Sequence, residues 1–243
     1  MKLAVCQMAI SDNLENNVAK VMHFMEKASA LEVKLVCFPE MSLTGYIHAL
    51  LSKPDLNLII EEALQKIKAK CEELNIGAIV GYGYRKDNNL FNRAGVLLPD
   101  SKKHTYDKIY LTEIEKKYFL PGTEKLVFPF RETKIGVIIC RDQNYPLLAK
   151  KLKNKGAEYI FILSAHYYEP KEARWKLDKN RAIPITRAVE NKVYVLLSNT
   201  IGTHIGMTSL GNSLIADPDG AVVVMADEQQ EGLLMLHTNN VEI

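Results

Sequence analysis

The alternation of apolar, strand-like runs with amphipathic helical patterns is the feature that most constrains the fold of this chain. The pattern predicts, in order, a strand at 2–8, a helix capped by Asp12 with Glu15, a strand at 34–38, a helix at 55–73, a strand at 134–139, a helix near 146–155, a strand at 159–163 and a long helix near 171–190. Further strand patterns occur at 76–85 and 90–99, and then between 193 and 236. Two sheets packed face to face, with helices on their outer sides, accommodate this order, although a single doubly wound sheet also fits the pattern.

The length and charge of the chain are those of an ordinary globular protein. It has 243 residues, of which 47% are hydrophobic and 25% are charged, and its formal net charge is +2. A charge so close to zero gives no electrostatic basis for binding nucleic acid or an anionic membrane. Because no Gly/Ser/Pro-rich linker divides the sequence, a single domain over residues 1–243 is predicted.

Targeting signals and cysteine usage favour a cytoplasmic protein. No apolar stretch approaches the roughly 18 residues of a membrane-spanning helix, and Gln7 and Asp12 interrupt the first apolar run too early for a signal peptide. The four cysteines are widely spaced and include no C-x-x-C pair, so neither a disulfide framework nor a zinc site is predicted. The six histidines also lack metal-ligand spacing. We therefore expect a reducing compartment and no bound metal.

Three titratable side chains stand where a strand pattern gives way to a loop. Glu40 follows the strand at 34–38, Lys108 ends a short strand, and Cys140 follows the β-branched run at 134–139. Individually, they have ordinary structural explanations as a solvated carboxylate, an exposed lysine and a small buried hydrophobe. Together they supply what thiol catalysis needs. A carboxylate can take the thiol proton, and an ammonium can hold the negative charge that develops on a substrate oxygen.

The sequence resembles the nitrilase, or carbon–nitrogen hydrolase, superfamily over nearly its whole length. The stretches that carry the resemblance are FPEMSLTGY at 38–46, YDKIYLTEIEKKYFLPG at 106–122 and GVIICRDQNYP at 136–146, supported by RAVENKVYVLLSN at 187–199 and GNSLIADPDG at 211–220. The resemblance implies a catalytic triad of Glu40, Lys108 and Cys140, with Glu115 as an additional active-site glutamate. It also implies a four-layer α-β-β-α sandwich of two packed mixed sheets, commonly dimerised, that uses no metal or organic cofactor.

The resemblance further implies acyl-thioester chemistry on the amide or N-carbamoyl group of a small molecule. Glu40 would act as general base and acid, and Cys140 as the nucleophile. Lys108 and the backbone N–H of Arg141 would donate to the oxyanion. The expected substrate contacts are Tyr46, Arg141, Asn144 and His166. Arg141 could hold an acidic substrate or pair with a neighbouring carboxylate, and both interpretations stay open.

Several positions leave the subfamily and the function open. Arg-Asp at 141–142 resembles the amidases more than the Trp-Glu of true nitrilases, and Leu147 stands where glutamate is usual. Pairing of Cys140 with His166 or His204 is a rival assignment of the nucleophile. Nitrile hydrolysis, acyl transfer to an amine and a non-catalytic binding role are the alternative functions. The chain ends without the tail that many members wrap around a partner subunit, but a homodimer or higher homo-oligomer is still expected.

Overall fold

The computed structural model describes residues 1–238, which form an α/β fold. The α-helices are α1 (Leu14–Ala30), α2 (His48–Leu51), α3 (Leu56–Leu74), α4 (Pro146–Asn154), α5 (Pro170–Trp175) and α6 (Leu177–Asn191). The strands are β1 (Lys2–Gln7), β2 (Leu35–Cys37), β3 (Gly77–Lys86), β4 (Asn89–Leu97), β5 (Lys103–Asp107), β6 (Leu126–Phe130), β7 (Thr133–Ile139), β8 (Tyr159–Leu163), β9 (Tyr194–Ser198), β10 (Ile201–His204), β11 (Met207–Leu210), β12 (Leu214–Ala216), β13 (Val222–Met225) and β14 (Gly232–His237). Short 3-10 helices lie at Glu115–Lys117 and Cys140–Asn144. Within residues 1–238, no helix is long and apolar enough to cross a membrane.

Two six-stranded mixed sheets form the centre of the fold. Their strand orders are β14-β1-β2-β3-β4-β5 and β13-β12-β9-β8-β7-β6. The central strands of each sheet are parallel, because helices connect them, and the outer strands pair antiparallel. Strands β10 and β11 form a separate hairpin. The prediction of two mixed sheets is confirmed, and the alternative of a single doubly wound sheet is wrong.

Alternating side chains of β1 show how the layers are held together. Val5 belongs to the apolar cluster that also contains Val137 and Phe161 of the second sheet. The next residue, Cys6, belongs to a different cluster, which contains Met25 of α1. Successive side chains of a strand face opposite sides of the sheet, so this strand contributes to both apolar layers. Helices α4 and α6 pack on the second sheet, which gives the predicted four-layer α-β-β-α sandwich.

Two local predictions about helix boundaries are wrong. Helix α1 is capped by Asn13, whose side chain accepts a backbone N–H of the first turn at 2.9 Å. The carboxylate of Asp12 lies instead 3.2 Å from the ring of His204, so it does not cap the helix. The long helix expected near 171–190 is divided at Lys176, where α5 ends with ψ near 0° before α6 begins.

Candidate active site

The three strand ends singled out in the sequence meet at one edge of the sandwich. Glu40 follows β2 and Lys108 follows β5, both in the first sheet, whereas Cys140 follows β7 in the second sheet. A backbone hydrogen bond of 3.3 Å, from Glu40 N to the carbonyl oxygen of Ser164 after β8, joins the two sheets at this edge. The candidate site is therefore assembled from both sheets.

A buried carboxylate–lysine cluster consists of Glu40, Lys108 and Glu115. Lys108 Nζ lies 2.7 Å from Oε1 of Glu40 and 2.7 Å from Oε1 of Glu115. The side chains of Glu40 and Lys108 are each 1% exposed, and that of Glu115 is 7% exposed. Each ion loses its hydration on burial, so charges at this depth require partners. The cluster provides them by placing an ammonium between two carboxylates.

The two carboxylate oxygens of Glu40 have different surroundings. Oε1 accepts hydrogen bonds from Lys108 Nζ, from Asn92 Nδ2 at 2.7 Å and from the Tyr46 hydroxyl at 2.8 Å. Oε2 is buried and has no hydrogen-bond partner within residues 1–238. A buried acceptor without a donor carries a free-energy cost. Oε2 is therefore the oxygen of Glu40 that is available to receive a proton.

The charges of the cluster act on the pKa values of its members. Burial alone would lower the pKa of Lys108, but the negative charges of Glu40, Cys140 and Glu115 raise it above its usual range. Burial alone would raise the pKa of Glu115, but the charge and hydrogen bond of Lys108 lower it. Lys108 is consequently an ammonium and Glu115 a carboxylate at neutral pH.

Cys140 occupies the first position of its 3-10 helix in an unusual backbone conformation. Its φ is +45°, in the left-handed region that side-chain-bearing residues rarely adopt, so the surrounding structure must hold it there. The residue is partly exposed, whereas the other three cysteines are fully buried. Desolvation and the charge of Glu40 raise the pKa of the thiol, and the charge of Lys108 lowers it. Since the net effect raises this pKa, the sulfur is a protonated thiol at neutral pH and needs a base.

Two glycines allow the backbone to carry Glu40 and Lys108 into the site. A Cβ atom at Gly81 would lie 2.4 Å from a backbone nitrogen of the loop that carries Glu40. A Cβ atom at Gly122 would lie 2.3 Å from the carbonyl oxygen of Asp107, which directly precedes Lys108. Any larger residue at either position would displace the segment that supplies a charged side chain.

The structure places the four predicted substrate contacts in different environments. Tyr46 joins the cluster through its hydroxyl, which lies 2.8 Å from Oε1 of Glu40. Arg141 is partly buried, and its Nε has no hydrogen-bond partner in the part of the chain that the structure describes. Asn144 is exposed at the end of the 3-10 helix. His166 is 6% exposed and lies just after β8.

The two histidines of the rival assignment have other partners. His166 Nε2 lies 3.3 Å from Gln143 Nε2, and burial lowers the pKa of this imidazole to about 3. The ring of His204 accepts the backbone N–H of Tyr46 at Nε2, at 3.2 Å, while its Nδ1 lies 3.2 Å from Asp12. These contacts favour the carboxylate of Glu40, rather than an imidazole, as the base for the thiol.

Two polar residues that organise the site were not assigned a role from the sequence. Asn92 donates from Nδ2 to Oε1 of Glu40 at 2.7 Å and to Oε1 of Glu115 at 3.2 Å. Asp142 accepts four hydrogen bonds close to the cysteine. The sequence does contain a signal that Asn92 is buried. In β4, the two-residue alternation places this amide on the same face of the strand as buried apolar residues.

Two remaining sequence features have no direct part in the cluster. Leu147 stands where the family usually has glutamate. Its side chain is 72% exposed, so the presence of leucine instead of glutamate leaves the buried core unchanged. Among residues 1–238, no group of three or more His, Cys, Asp or Glu side chains is arranged to hold a metal ion.

Sequence comparisons relate this chain to enzymes that act on carbon–nitrogen bonds. The sequence model of the carbon–nitrogen hydrolase family matches residues 2–240. The chain is 31% identical over 231 residues to a nitrilase from Pyrococcus abyssi. This alignment covers 89% of this chain and 81% of that protein. It is 28% identical over 228 residues to a glutamine-dependent NAD(+) synthetase from Acinetobacter baylyi. That match covers 91% of this chain, which spans only 41% of the synthetase.

A structural comparison gives the same relationship for the fold. A variant of the amidase from Nesterenkonia sp. AN1, with acrylamide added to its active-site cysteine, superposes with a TM-score of 0.85. The superposition covers 98% of this chain and 92% of the amidase, at 18% sequence identity. The two mixed sheets and flanking helices are thus those of a nitrilase fold. With the family match over residues 2–240, they show that this chain belongs to the carbon–nitrogen hydrolase, or nitrilase, superfamily.

Proposed function

We propose that the protein hydrolyses a non-peptide C–N bond, in an amide or an N-carbamoyl group of a small molecule, through a thioester on Cys140. The observation that carries the proposal is the arrangement of Glu40. Three donors hold its Oε1, while its Oε2 has no partner within residues 1–238, and its charge acts on the Cys140 thiol. This arrangement is suited to removing a proton from a thiol whose pKa is raised.

The first half-reaction would form the thioester. Glu40 Oε2 accepts the thiol proton as the sulfur of Cys140 bonds to the carbonyl carbon, and the π electrons of the carbonyl move onto its oxygen. Lys108 and the backbone N–H of Arg141 donate to this oxyanion. When the tetrahedral intermediate collapses, the C–N bond breaks. Glu40 then gives its proton to the departing nitrogen, which leaves as ammonia or an amine.

The second half-reaction would release the acyl group. Glu40 takes a proton from a water molecule as the water oxygen attacks the thioester carbon. Collapse of the second tetrahedral intermediate breaks the C–S bond, and the proton on Glu40 returns to the thiolate of Cys140. Glu115, held as a carboxylate by its ion pair with Lys108, would orient the substrate or tune the lysine and the attacking water.

The magnitudes of these effects require the residues to act together. General acid–base transfer contributes roughly 10²–10⁴-fold in rate, and a single oxyanion donor contributes about 3 kcal/mol. Either effect alone falls short of the rate enhancements that enzymes reach, which begin at roughly 10⁶-fold. The proposal therefore requires Glu40, Lys108 and Cys140 to work as one unit.

The proposed substrate class is supported by the reaction and by the names of the relatives. Structures of variants of the Nesterenkonia amidase contain acrylamide added to the active-site cysteine and, in another case, bound butyramide, and both compounds are small amides. We propose small amides and N-carbamoyl compounds as substrates, with Tyr46, Arg141, Asn144 and His166 as contacts. A single domain over residues 1–243, a cytoplasmic location and assembly as a homodimer or higher homo-oligomer stay predictions.

Nitrile hydrolysis is the second candidate, because the relative with 31% identity is named a nitrilase. The same sulfur would attack a nitrile carbon, and Lys108 would donate to the nitrogen that becomes negative. The Arg-Asp pair at 141–142 favours the amide reaction. A screen must therefore contain both kinds of substrate.

Ammonia release over a panel of butyramide, N-carbamoyl amino acids and aliphatic nitriles tests the proposal, with Cys140→Ser as the variant. We expect release from at least one amide or carbamoyl compound. Cys140→Ser should lose on the order of 10⁴-fold or more in kcat, since loss of a nucleophile disables the whole unit. Its Tm should stay within about 2 °C, because the substitution is small and the site partly exposed. Undiminished ammonia release by this variant would refute the assignment of the nucleophile.

A further inference from the structure

The carboxylate of Asp142 is fully buried and accepts four hydrogen bonds. Its Oδ2 accepts from the Tyr106 hydroxyl at 2.6 Å and from Ile139 N at 3.0 Å. Its Oδ1 accepts from Tyr110 N at 2.8 Å and from Ile109 N at 3.2 Å. Two carboxylate oxygens offer about four acceptor sites in all, so this carboxylate is saturated by donors.

These donors belong to the segments that carry two of the proposed catalytic residues. Tyr106 lies in β5 two residues before Lys108, and the two backbone donors at 109–110 follow Lys108 directly. Asp142 lies two residues after Cys140, in the 3-10 helix that follows β7 of the other sheet. A single side chain therefore connects the lysine segment of the first sheet to the cysteine segment of the second.

The cysteine segment needs such a connection because its backbone is strained. Cys140 has a φ of +45°, a conformation that persists only where several contacts enforce it. The same two segments make a second contact, in which the rings of Tyr110 and Tyr145 stack with centroids 3.5 Å apart and planes 8° from parallel. The carbonyl oxygen of Asp142 also accepts Tyr145 N at 3.1 Å, which closes the turn.

We propose that Asp142 is a positioning residue that holds the Cys140 sulfur at the correct distance from Lys108 and Glu40. The assignment rests on the proposed function, in which those three residues react as one unit. A shift of 1 Å in such an arrangement can cost about 100-fold in rate.

Asp142→Asn is the sharpest substitution, because it preserves shape while replacing one oxygen with an NH2 group. Whichever way the amide turns, that group faces at least one backbone N–H, which cannot become an acceptor. Tyr106→Phe removes one of the four donors and leaves the carboxylate intact, so it serves if the first variant fails to fold. Asp217→Asn is the matched control, since Asp217 also accepts two backbone N–H groups but lies in the turn between β12 and β13.

Two measurements on the full chain separate positioning from simple stabilisation. The first is kcat and KM for the amide that the ammonia panel identifies, corrected for the folded fraction. The second is the pH dependence of alkylation of Cys140 by iodoacetamide, which needs no substrate. Cys140 should be the site labelled in the native protein, because the other three cysteines are fully buried.

For Asp142→Asn we expect kcat to fall about 100-fold with KM within about 3-fold. The apparent pKa of alkylation should fall towards the value of about 8.5 of a free cysteine, as the thiol moves away from its buried neighbours. Tyr106→Phe should lower kcat and the apparent pKa of alkylation by smaller amounts. Asp217→Asn should change neither of these two quantities. An unchanged kcat and alkylation profile in both Asp142→Asn and Tyr106→Phe would overturn the proposal, whatever happens to the Tm. If the wild type releases no ammonia from any compound, the proposed function fails, and the alkylation profile still decides the positioning role.

Discussion

The two halves of the candidate site differ in how completely their polar atoms are satisfied. In the carboxylate–lysine cluster, every carboxylate oxygen except Oε2 of Glu40 accepts a hydrogen bond. The second half is the nucleophile turn, Cys140–Asn144, together with His166, which contacts it. Here Arg141 Nε, Gln143 Oε1 and His166 Nδ1 are all buried without a partner within residues 1–238.

This difference separates the chemistry of the site from its selectivity. Buried polar atoms are normally paired with protein groups or ordered water, so the free atoms of the nucleophile turn are candidates for contacts with water or substrate. Among the carboxylate oxygens of the cluster, only Oε2 of Glu40 has this capacity within residues 1–238, and the other three are held by protein donors. Under the proposed function, the first half accounts for the reaction type, and we expect the identity of the substrate to depend on the second half.

Replacing Lys108 by methionine should break the first half and have the largest effect. Glu40 and Glu115 would be left buried without their cation, which costs about 3–5 kcal/mol in the free energy of unfolding. The kcat should fall on the order of 10²–10³-fold through loss of the oxyanion donor. Chemical denaturation and ammonia release measure the two effects. Lys103→Met is the control, since its partner Glu61 is 47% exposed and surface pairs contribute about 0–1 kcal/mol. Equal stability of the two variants would contradict a buried ion cluster.

Asn92→Ala should loosen the first half without removing a charge, and its effect should be intermediate. Oε1 of Glu40 and Oε1 of Glu115 each lose a donor, which should cost about 1–3 kcal/mol in stability. A less well-oriented base should lower kcat by about 10–100-fold. Asn89→Ala, at the exposed start of the same strand, should leave kcat unchanged. If Asn92→Ala keeps full activity, the orientation of Glu40 does not depend on this amide.

His166→Gln should act on the second half and have the smallest effect. Burial lowers the pKa of His166 to about 3, so the imidazole stays neutral from pH 5 to 8 and contributes no ionisation to the activity profile. We expect KM to rise by about 2–10-fold, because the substrate would lose about one hydrogen bond. The shape of the pH–kcat profile should stay unchanged. His23→Gln, on the exposed face of α1, is the control. Loss of a limb of the pH profile in His166→Gln would restore the Cys–His assignment.

The parts of the structure that could be predicted from sequence are those that depend on local patterns. Alternating and β-branched runs identify strands, and the motifs at their ends identify Glu40, Lys108 and Cys140. Asn92 and Asp142 could not be assigned roles in the same way. Asn92 contacts a residue 52 positions away, and Asp142 contacts a segment 33 positions away in another sheet. Such partners are fixed by the packing of the two sheets, which no local pattern records.

Helix boundaries show the same limit on a smaller scale. Both Asp12 and Asn13 are good N-cap residues, and the sequence pattern favours Asp12 because of the glutamate three residues later. In the structure, the carboxylate of Asp12 lies 3.2 Å from the ring of His204, nearly 200 residues further along the chain. Asn13 then supplies the cap.

The central claim is that a thioester forms on Cys140, and mass spectrometry tests it most directly. The enzyme is quenched with acid during turnover of the amide that the ammonia panel identifies. A tryptic digest isolates the cysteine in the peptide spanning residues 135–141, because cleavage follows Lys134 and Arg141. We predict that this peptide gains the mass of the acyl group of the substrate, and that Cys140→Ala shows neither the adduct nor ammonia release. An acyl adduct on a different peptide, or continued turnover by Cys140→Ala, would contradict the account.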